Sequence, residues 1–268
     1  MLDDQMIDAY LTRIGAERPT RLDAEALARL QERHVLSVPF ENLDYHLRRE
    51  IHMDEHVLPK IVHERRGGGC YEVNPGLHHL LAGLGFDVTM HPGSVWIDGV
   101  LGPPYCHVVI VARVDGVSWL VDVGFGRTPR SPLPTASTQT RDDPHGRFRL
   151  APAADGGTDV FADDVAQYRF YGTIDCAADD FGPTLWWYRT APDSPFLQNV
   201  FCSMPTLDGR LTIKDDKVTR IVGGERTSER IADHEALLAR YGEWFGFDLA
   251  ELPTKAAVGA SDVRMSFE

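Results

Sequence analysis

Two runs of apolar and β-branched residues in the middle of the chain, HVVIVARV and VSWLVDVGF, are separated only by Asp115 and Gly116. An Asp-Gly dipeptide between two such runs is a strong signal for a β-hairpin with a two-residue turn, because both turn residues adopt a positive φ. The turn sets the pairing of the two strands, so that Val114 lies opposite Val117. This hairpin constrains the fold more tightly than any other feature of the sequence.

The same pairing brings an imidazole and a carboxylate together. Counting back from the turn places Val109 opposite Asp122, and His107 lies two residues from Val109 on the same face. His107 and Asp122 are then diagonal neighbours about 7–8 Å apart along the backbone, within reach of each other's side chains. Burying an acid in an apolar hairpin is costly unless it is paired. The two residues form either a catalytic couple or a satisfied core pair, and a shift of one residue in register separates them.

A single cysteine, Cys70, ends a run of three glycines in RRGGGCYE. Glycines allow the backbone to approach a ligand closely and to adopt a positive φ. The dipeptide Asn74-Pro75 is typical of a helix N-cap and first helical position, which places Cys70 in or just before the first turn. A helix N-terminus lowers the pKa of a thiol, and Arg65 and Arg66 lower it further if they face the sulfur. Cys70 is therefore either a nucleophile or a buried structural cysteine.

The order of elements along the chain indicates an α+β fold. Helical spacing dominates the first ~85 residues, where Gly15 ends one predicted helix and Asp23 caps the next. Short strands and Pro/Gly turns follow to about residue 190. In the last third, FCSMPT, GRLTIKD and KVTRIVGG are predicted strands, and SERIADHEALLARYGEWF is a predicted helix. No linker separates these parts, which are interpreted as subdomains of one unit.

Charge and hydropathy exclude several classes of protein. The formal net charge of −13 argues against a nucleic-acid partner. No run of about 18 apolar residues occurs, so no membrane span is predicted. The acidic opening MLDDQMIDAY lacks the apolar stretch of a signal peptide, and we expect a cytoplasmic protein. In that reducing compartment the four cysteines stay unpaired. Cys106, adjacent to His107 on a strand, faces the opposite side and is interpreted as a packing residue.

The histidines do not predict a metal site. Structural zinc ligands usually lie about two to four residues apart. The candidate metal ligands are instead either directly adjacent or scattered along polar segments: His78-His79, His63-Glu64, Cys106-His107, His34, His46, His52 and His56. The chain also lacks the phosphate-binding GxxxxGK[ST] motif, and its glycine run lacks the spacing of a dinucleotide fingerprint. We therefore expect neither a metal nor a bound nucleotide.

Several motifs occur in a specific combination: RGGGCYE with Asn74, His107 ahead of an apolar strand, VDVGFG at 121–126, PFENLD at 39–44 and YLTRIG at 10–15. Weaker matches are SPF at 194–196 and DGRLTI at 208–213. Together they resemble the arylamine N-acetyltransferase family of the bacterial type, in the order of that family and over most of the chain. The resemblance implies a Cys-His-Asp triad in which Cys70 is the nucleophile, His107 activates it and Asp122 orients His107. The hairpin geometry agrees with this assignment.

The resemblance also implies a fold and its division. The family combines an N-terminal helical bundle that carries the nucleophile, a central β-barrel that carries the histidine and aspartate, and a C-terminal α/β lid, with a triad arranged as in cysteine proteases. Carried over to this chain, the three parts are 1–85, 86–190 and 191–268.

The implied activity is transfer of an acetyl group from acetyl-CoA to the nitrogen of an arylamine, arylhydrazine or N-hydroxyarylamine. The mechanism is ping-pong through a Cys70 thioester, with acetyl-CoA as a co-substrate and no permanently bound cofactor. Family positions that contact substrate correspond to Phe40, Val95, Phe125 and Phe196, for which core packing is the alternative, above all for Val95. Candidate partners of the CoA phosphates are Arg127 and Lys214, and also Arg130 and Lys217. The expected partners are small molecules, and the chain is expected to be a monomer or homodimer.

Other readings stay open at this point. An amide synthase of the same family closes a macrolactam from a carrier-bound acyl chain with the same triad, and a related transferase uses another acyl-CoA. A cysteine hydrolase lets water attack the acyl-enzyme, and a non-enzymatic binder uses no triad at all. The chain departs from the family at Gly69, where a side chain is usual, and at Cys106, where threonine is common. Both departures bear on pocket shape and leave the triad intact.

Overall fold

The structure, a computed structural model, describes residues 2–255, so the end of the predicted lid lies outside the described residues. The described helices are α1 Asp4–Ile14, α2 Ala24–Val35, α3 Leu43–Leu47, α4 Val57–Val62, α5 Cys70–Leu84, α6 Gly182–Thr190, α7 Pro195–Gln198 and α8 His234–Phe245. The strands are β1 Phe40–Glu41, β2 Asp87–Ile97, β3 Val100–Leu101, β4 His107–Val114, β5 Val117–Val121, β6 Leu133–Pro134, β7 Arg141–Asp143, β8 Gly146–Pro152, β9 Thr158–Ala162, β10 Val165–Phe170, β11 Phe201–Pro205, β12 Gly209–Lys214, β13 Lys217–Val222 and β14 Glu225–Arg230. The predicted α+β class is confirmed.

The first helix ends at Gly15 and the second is capped by Asp23, as the sequence predicts. Asp3 accepts the N–H of Met6 at 2.8 Å, and Asp23 accepts the N–H of Ala26 at 2.9 Å. Each bond satisfies an N–H that has no partner within its helix. Gly15 ends α1 with a φ of 64°, a left-handed conformation that favours glycine. The apolar faces of both helices are buried.

Helix α5 begins at Cys70, five residues before the start at Pro75 that Asn74-Pro75 suggested. The carboxylate of Glu72 accepts the N–H of Gly69 at 3.2 Å and so caps the earlier start. Pro75 lies in the second turn, where its missing N–H removes only the bond to the carbonyl of Tyr71. The prediction of Asn74 as the N-cap was wrong because its amide bonds to the neighbouring sheet instead of to its own helix.

The predicted hairpin is confirmed together with its register. Val114 pairs with Val117 and Ile110 pairs with Val121 in β4 and β5. These strands belong to a nine-stranded antiparallel sheet with the order β6-β5-β4-β2-β10-β9-β8-β7, to which β3 adds at β2. Strand β4 is buried on both faces, because Ile110 and Ala112 pack with the N-terminal helices whereas Val109 packs in the cluster that contains Cys70. The helix that carries Cys70 is therefore held against the strand that begins at His107.

A second antiparallel sheet has the order β1-β11-β12-β13-β14. Its first strand comes from the N-terminal part of the chain, since Phe40 pairs with Ser203 and Glu41 with Cys202. The three predicted strands of this region are confirmed, but the predicted helix over SERIADHEALLARYGEWF begins too early. Residues 228–230 continue β14, and α8 starts only after Asp233, which accepts the N–H of Ala236 at 2.8 Å. The division at residues 85 and 190 stays a prediction.

The longest described helix, α5, has 15 residues. Among residues 2–255, no helix combines the length and the apolar character that crossing a bilayer requires.

Candidate active site

Cys70 is the first residue of α5 and is 4% exposed. None of the three glycines before it has a positive φ. Close packing is therefore the reason for glycine at these positions. A Cβ on Gly67 lies 1.7 Å from the carbonyl oxygen of Pro39, and one on Gly68 lies 2.4 Å from Oε2 of Glu72. Side chains at these two positions therefore displace the backbone that leads into Cys70. Of the two properties that glycine offers, close approach of the backbone is the one used here, and a positive φ is not.

His107 and Asp122 form a hydrogen bond of 2.9 Å between Nε2 and Oδ2. Their side chains are each 2% exposed, so the pair is shielded from water. The other oxygen of Asp122 accepts the Asn74 amide at 2.9 Å and the N–H of Gly124 at 2.8 Å. Burial alone raises the pKa of Asp122, but the attraction between its carboxylate and the His107 side chain, together with these hydrogen bonds, outweighs burial and holds that pKa below its usual range. The carboxylate is thus ionised, oriented and fully partnered.

Asn74 joins the helix to the hairpin. Its Nδ2 also donates to the carbonyl of Val108 at 2.7 Å, and its Oδ1 accepts the N–H of Val123 at 2.9 Å. Asn74 lies four residues after Cys70, on the same face of α5. The dipeptide Asn74-Pro75 indicates a helix cap and does not reveal this role of Asn74, although the helical spacing from Cys70 is a usable signal. Asn74 fixes the distance between the nucleophile's helix and Asp122.

The loop after Asp122 approaches Cys70 closely. A Cβ on Gly124 lies 2.7 Å from Cα of Cys70 and 2.8 Å from Nδ2 of Asn74. Only glycine leaves room for this approach without a shift of the loop.

Burial raises the pKa of the Cys70 thiol, and the negative charge of Asp122 raises it further. The backbone N–H groups of Val108 and Tyr71 act in the opposite direction by hydrogen bonding to the sulfur. The expectation of a thiol pKa lowered by the helix N-terminus was wrong in direction, because burial and the negative charge of Asp122 raise this pKa. Both effects favour the neutral thiol over the thiolate.

The two arginines before the glycines face away from the sulfur. Arg65 donates to the carbonyl of Gly246, and Arg66 is buried against Glu41 and Asp44 with distances of 2.8 and 2.9 Å. The idea that they lower the pKa of the thiol was therefore wrong.

Lys60 completes the buried charge cluster beneath the glycine run. Its Nζ lies 2.6 Å from Glu72, 2.7 Å from Asp44 and 3.6 Å from Glu41. The pKa of Glu72 is raised to about 7, because burial and the charges of Glu41 and Asp44 raise it by more than the attraction of Lys60 lowers it. Because Glu72 also accepts the Gly69 N–H, this cluster anchors the start of α5.

The four apolar residues predicted to contact substrate lie in one region. Phe40, Val95 and Phe196 belong to the same buried cluster as Cys70, and Phe125 packs against that cluster, half-buried. Phe125 also packs edge-on against the imidazole of His107, with 5.3 Å between ring centroids. The structure thus brings together all four predicted residues.

Two tyrosines in the same region were not predicted. The ring of Tyr168 lies 4.6 Å from that of His107, and the ring of Tyr45 stacks on Phe196 at 4.7 Å. Tyr168 comes from β10, opposite Val95 on β2, a pairing between distant segments that no local pattern reveals. A Cβ on Gly69 lies 3.5 Å from the hydroxyl of Tyr45, so this side chain adjoins the residue before the nucleophile.

Cys106 is buried, and its sulfur accepts the N–H of Val95 at 3.1 Å, as a packing residue does.

The predicted cations are dispersed. Arg127 pairs with Asp163, and Lys214 lies opposite Lys217 in the β12–β13 hairpin. Arg130 is buried and donates to two backbone carbonyls at 2.7 Å, so it has a structural role.

The buried thiol of Cys70 meets the backbone of Val108, the residue that follows His107, and the imidazole of His107 is held by Asp122. A thiol, an imidazole and a carboxylate in this order are suited to nucleophilic acyl transfer. Comparison with known proteins agrees with this chemistry. The family model for N-acetyltransferases matches residues 23–253. An arylamine N-acetyltransferase of Mycolicibacterium smegmatis is 31% identical over 257 residues, 92% of this chain and 93% of the relative. The chain belongs to the arylamine N-acetyltransferase family.

Two further matches relate the acetyltransferase to proteins with described ligands or products. The structure of the Mycobacterium marinum arylamine N-acetyltransferase in complex with CoA is 27% identical, with a TM-score of 0.81 over 90% of this chain and 92% of the other. The proansamycin X synthase of Amycolatopsis mediterranei is 37% identical over 143 residues, 50% of this chain and 55% of the synthase. The fold and the acetyltransferase class are thus shared along nearly the whole chain, and the similarity to the synthase covers half of it.

Proposed function

We propose that the enzyme moves an acetyl group from acetyl-CoA to the nitrogen of an arylamine, arylhydrazine or N-hydroxyarylamine through a thioester on Cys70. The observation that carries this proposal is the buried hydrogen bond of 2.9 Å between His107 and Asp122, tied by Asn74 to the helix that begins at Cys70. Cys70 is the nucleophile, His107 the general base and acid, and Asp122 the residue that orients His107.

In the first half-reaction the Cys70 sulfur attacks the thioester carbonyl of acetyl-CoA. Because burial favours the neutral thiol, the proton passes to His107 as the carbon–sulfur bond forms. Nε2 of His107 is hydrogen-bonded to Asp122, so Nδ1 is the nitrogen that receives the proton. The bond from the carbonyl carbon to the CoA sulfur then breaks, and the proton leaves with CoA as its thiol.

In the second half-reaction the amine nitrogen attacks the acetyl-Cys70 carbonyl. His107 takes a proton from the nitrogen and returns it to the Cys70 sulfur as the thioester breaks. The N–H groups of Val108 and Tyr71 that contact this sulfur stabilise it as it leaves with negative charge. The acetylated amine departs and the resting thiol is restored.

We further propose that the apolar cluster around Cys70 receives the aromatic acceptor and that no cofactor is permanently bound. The residues that form the slot are Phe40, Val95, Phe125 and Phe196. The related M. marinum enzyme binds CoA, which supports acyl-CoA as the donor. Arg127 and Lys214 are the proposed partners of the CoA phosphates.

Mass spectrometry of the protein after incubation with acetyl-CoA, without amine, tests the proposal. We expect one acetyl group, located on Cys70 by peptide mapping, and its loss on addition of an aniline. The matched control is Cys106→Ser, which removes a neighbouring buried thiol and keeps the acetyl group. Acetylation at another residue, or turnover of Cys70→Ala, contradicts the assignment of the nucleophile.

The similarity to the proansamycin X synthase favours a second candidate, an amide synthase that takes a carrier-bound acyl chain. The same experiment with an N-acetylcysteamine thioester of a long acyl chain separates the two. Faster acylation of Cys70 by that thioester than by acetyl-CoA supports the synthase. Faster acylation by acetyl-CoA supports the acetyltransferase reaction with amines.

A further inference from the structure

Two histidines and an aspartate converge on the surface between α3 and α4, in the segment His52–His56. Each of His52, Asp54 and His56 offers one ligand atom, and these three atoms lie within 4.8 Å of one another. In the sequence these two histidines are among those scattered on polar segments, which predicted no metal site. We propose that the three side chains form a binding site for a divalent transition-metal ion of the zinc class.

The distances place the carboxylate between the two imidazoles. Nδ1 of His56 lies 2.9 Å from Oδ2 of Asp54, and Nδ1 of His52 lies 3.8 Å from Oδ1. The two rings are 5.5 Å apart and tilted by 40°. Zinc–nitrogen and zinc–oxygen bonds are about 2.0–2.2 Å long, so an ion between these atoms needs only small side-chain rotations. The exposed fractions of 37%, 55% and 70% for the three side chains leave them free to make those rotations.

The backbone that presents the ligands is held in place. Ile51 and Met53, which alternate with the ligands, are 5% and 6% exposed and belong to the buried cluster around Cys70. The N–H of His56 donates to Oδ1 of Asp54 at 3.1 Å, and the N–H of Val57 donates to the carbonyl of Asp54 at 3.1 Å. A site on an anchored segment loses less entropy on binding than one on a free loop. Ile51 and Met53 point into the protein, while His52 and Asp54 stay at the surface with 3.8 Å between Nδ1 and Oδ1.

The donor set determines the class of ion. Two imidazole nitrogens and one carboxylate oxygen suit zinc, cobalt, nickel or copper, whereas magnesium and calcium prefer oxygen ligands alone. The other ring nitrogen of His52 lies 3.9 Å from a carboxylate oxygen of Glu50. A rotation of the exposed Glu50 side chain brings this oxygen within hydrogen-bond distance, the arrangement in which a carboxylate orients a metal-bound histidine. A fourth position stays open to water, as in sites with three protein ligands.

Calorimetric titration of the full-length protein with ZnCl₂ tests the site, with MgCl₂ titrated in parallel. We expect one zinc ion per chain, bound more tightly than magnesium, and an affinity at least about tenfold lower in His52→Ala and in His56→Ala. His63→Ala, which removes an exposed histidine at the end of α4, is the matched control and is expected to bind zinc as the parent does. These side chains are exposed or half-exposed, so the variants are expected to fold.

Cobalt spectroscopy distinguishes this site from binding to a cysteine. Sulfur ligation gives an intense near-ultraviolet charge-transfer band, and a site of nitrogen and oxygen ligands does not. A band that disappears when Cys70 is alkylated, or unchanged zinc affinity in both histidine variants, overturns the proposal. Zinc affinity equal to that of magnesium also overturns it.

Discussion

Replacing Gly124 with alanine tests whether the loop after Asp122 sets the position of the nucleophile. The added Cβ lies 2.7 Å from Cα of Cys70, about 0.7 Å short of ordinary contact at 3.4 Å. It also lies 2.8 Å from Nδ2 of Asn74. Backbone and a bonded amide face the new methyl group, so the loop itself must move. The φ of Gly124 is not positive, and the effect is therefore steric rather than conformational.

The size of the effect follows from this displacement. A misplacement of reacting groups by about 1 Å costs on the order of 100-fold in rate, so we expect Gly124→Ala to acetylate Cys70 roughly 30-fold more slowly. Overpacking a buried site costs about 1–3 kcal/mol, and roughly 2 kcal/mol lowers the melting temperature by about 5 °C in a chain of this size. The N–H of Gly124 also donates to Asp122 at 2.8 Å, so the same shift weakens the support of His107.

The assay is a single-turnover reaction with acetyl-CoA, quenched and analysed by mass spectrometry, beside a thermal melt. Gly182→Ala is the matched control, since no described atom lies within 4 Å of its Cβ and the residue begins α6. The control is expected to keep both the acetylation rate and the melting temperature. An acetylation rate of Gly124→Ala within twofold of the parent refutes the reasoning, because the loop then does not position Cys70.

Three further changes have defined outcomes. Asp122→Asn removes the charge that holds His107, and we expect kcat to fall by about 10³–10⁴-fold and stability by roughly 3 kcal/mol; an unchanged urea midpoint contradicts burial of the pair. Glu72 has a folded pKa of about 7, raised by burial above its ordinary value of about 4.5, so the folded state keeps that proton longer than the unfolded state and stability falls as pH rises. Urea titrations of the parent are expected to show that the free energy of unfolding falls by roughly 3 kcal/mol between about pH 4.5 and 7. Glu72→Gln is expected to abolish this fall, and the same dependence of stability on pH in the parent and the variant contradicts the prediction. The lowered pKa of Asp44 acts at lower pH, where stability is lost as the solution is acidified. Tyr45→Phe deletes a buried hydroxyl that has no hydrogen-bond partner among residues 2–255, so stability is expected to rise by about 1 kcal/mol in a urea melt, and a loss of stability shows that the hydroxyl is bonded.

The hairpin shows what local sequence determines. Asp115 and Gly116 allow only a short turn, the turn fixes the pairing of Val114 with Val117, and the two-residue period then assigns every side chain to a face. The proximity of His107 and Asp122 follows from these steps alone, without knowledge of the rest of the fold.

The surroundings of the nucleophile could not be predicted in the same way. The charge cluster under the glycine run combines Glu41, Asp44, Lys60, Arg66 and Glu72 from four separate segments, and no local pattern specifies their meeting. The start of α5 depends on this cluster, since Glu72 caps the helix while Lys60 holds its carboxylate. A reading of Asn74-Pro75 by local propensity therefore gave the wrong boundary.

Burial of the thiol and the charge of Asp122 disfavour ionisation of Cys70 at the start of the proposed reaction, and the charge of Asp122 favours the charged form of His107 at a later stage. Before attack, Asp122 raises the pKa of Cys70 and so disfavours a free thiolate. Once the proton moves to His107, the same carboxylate, 2.9 Å from Nε2, stabilises the imidazolium that forms. In the proposed reaction the thiol therefore becomes nucleophilic together with proton transfer to His107. Desolvation of the site opposes charge separation before the reaction. During the reaction the same desolvation strengthens the attraction between the imidazolium of His107 and the carboxylate of Asp122.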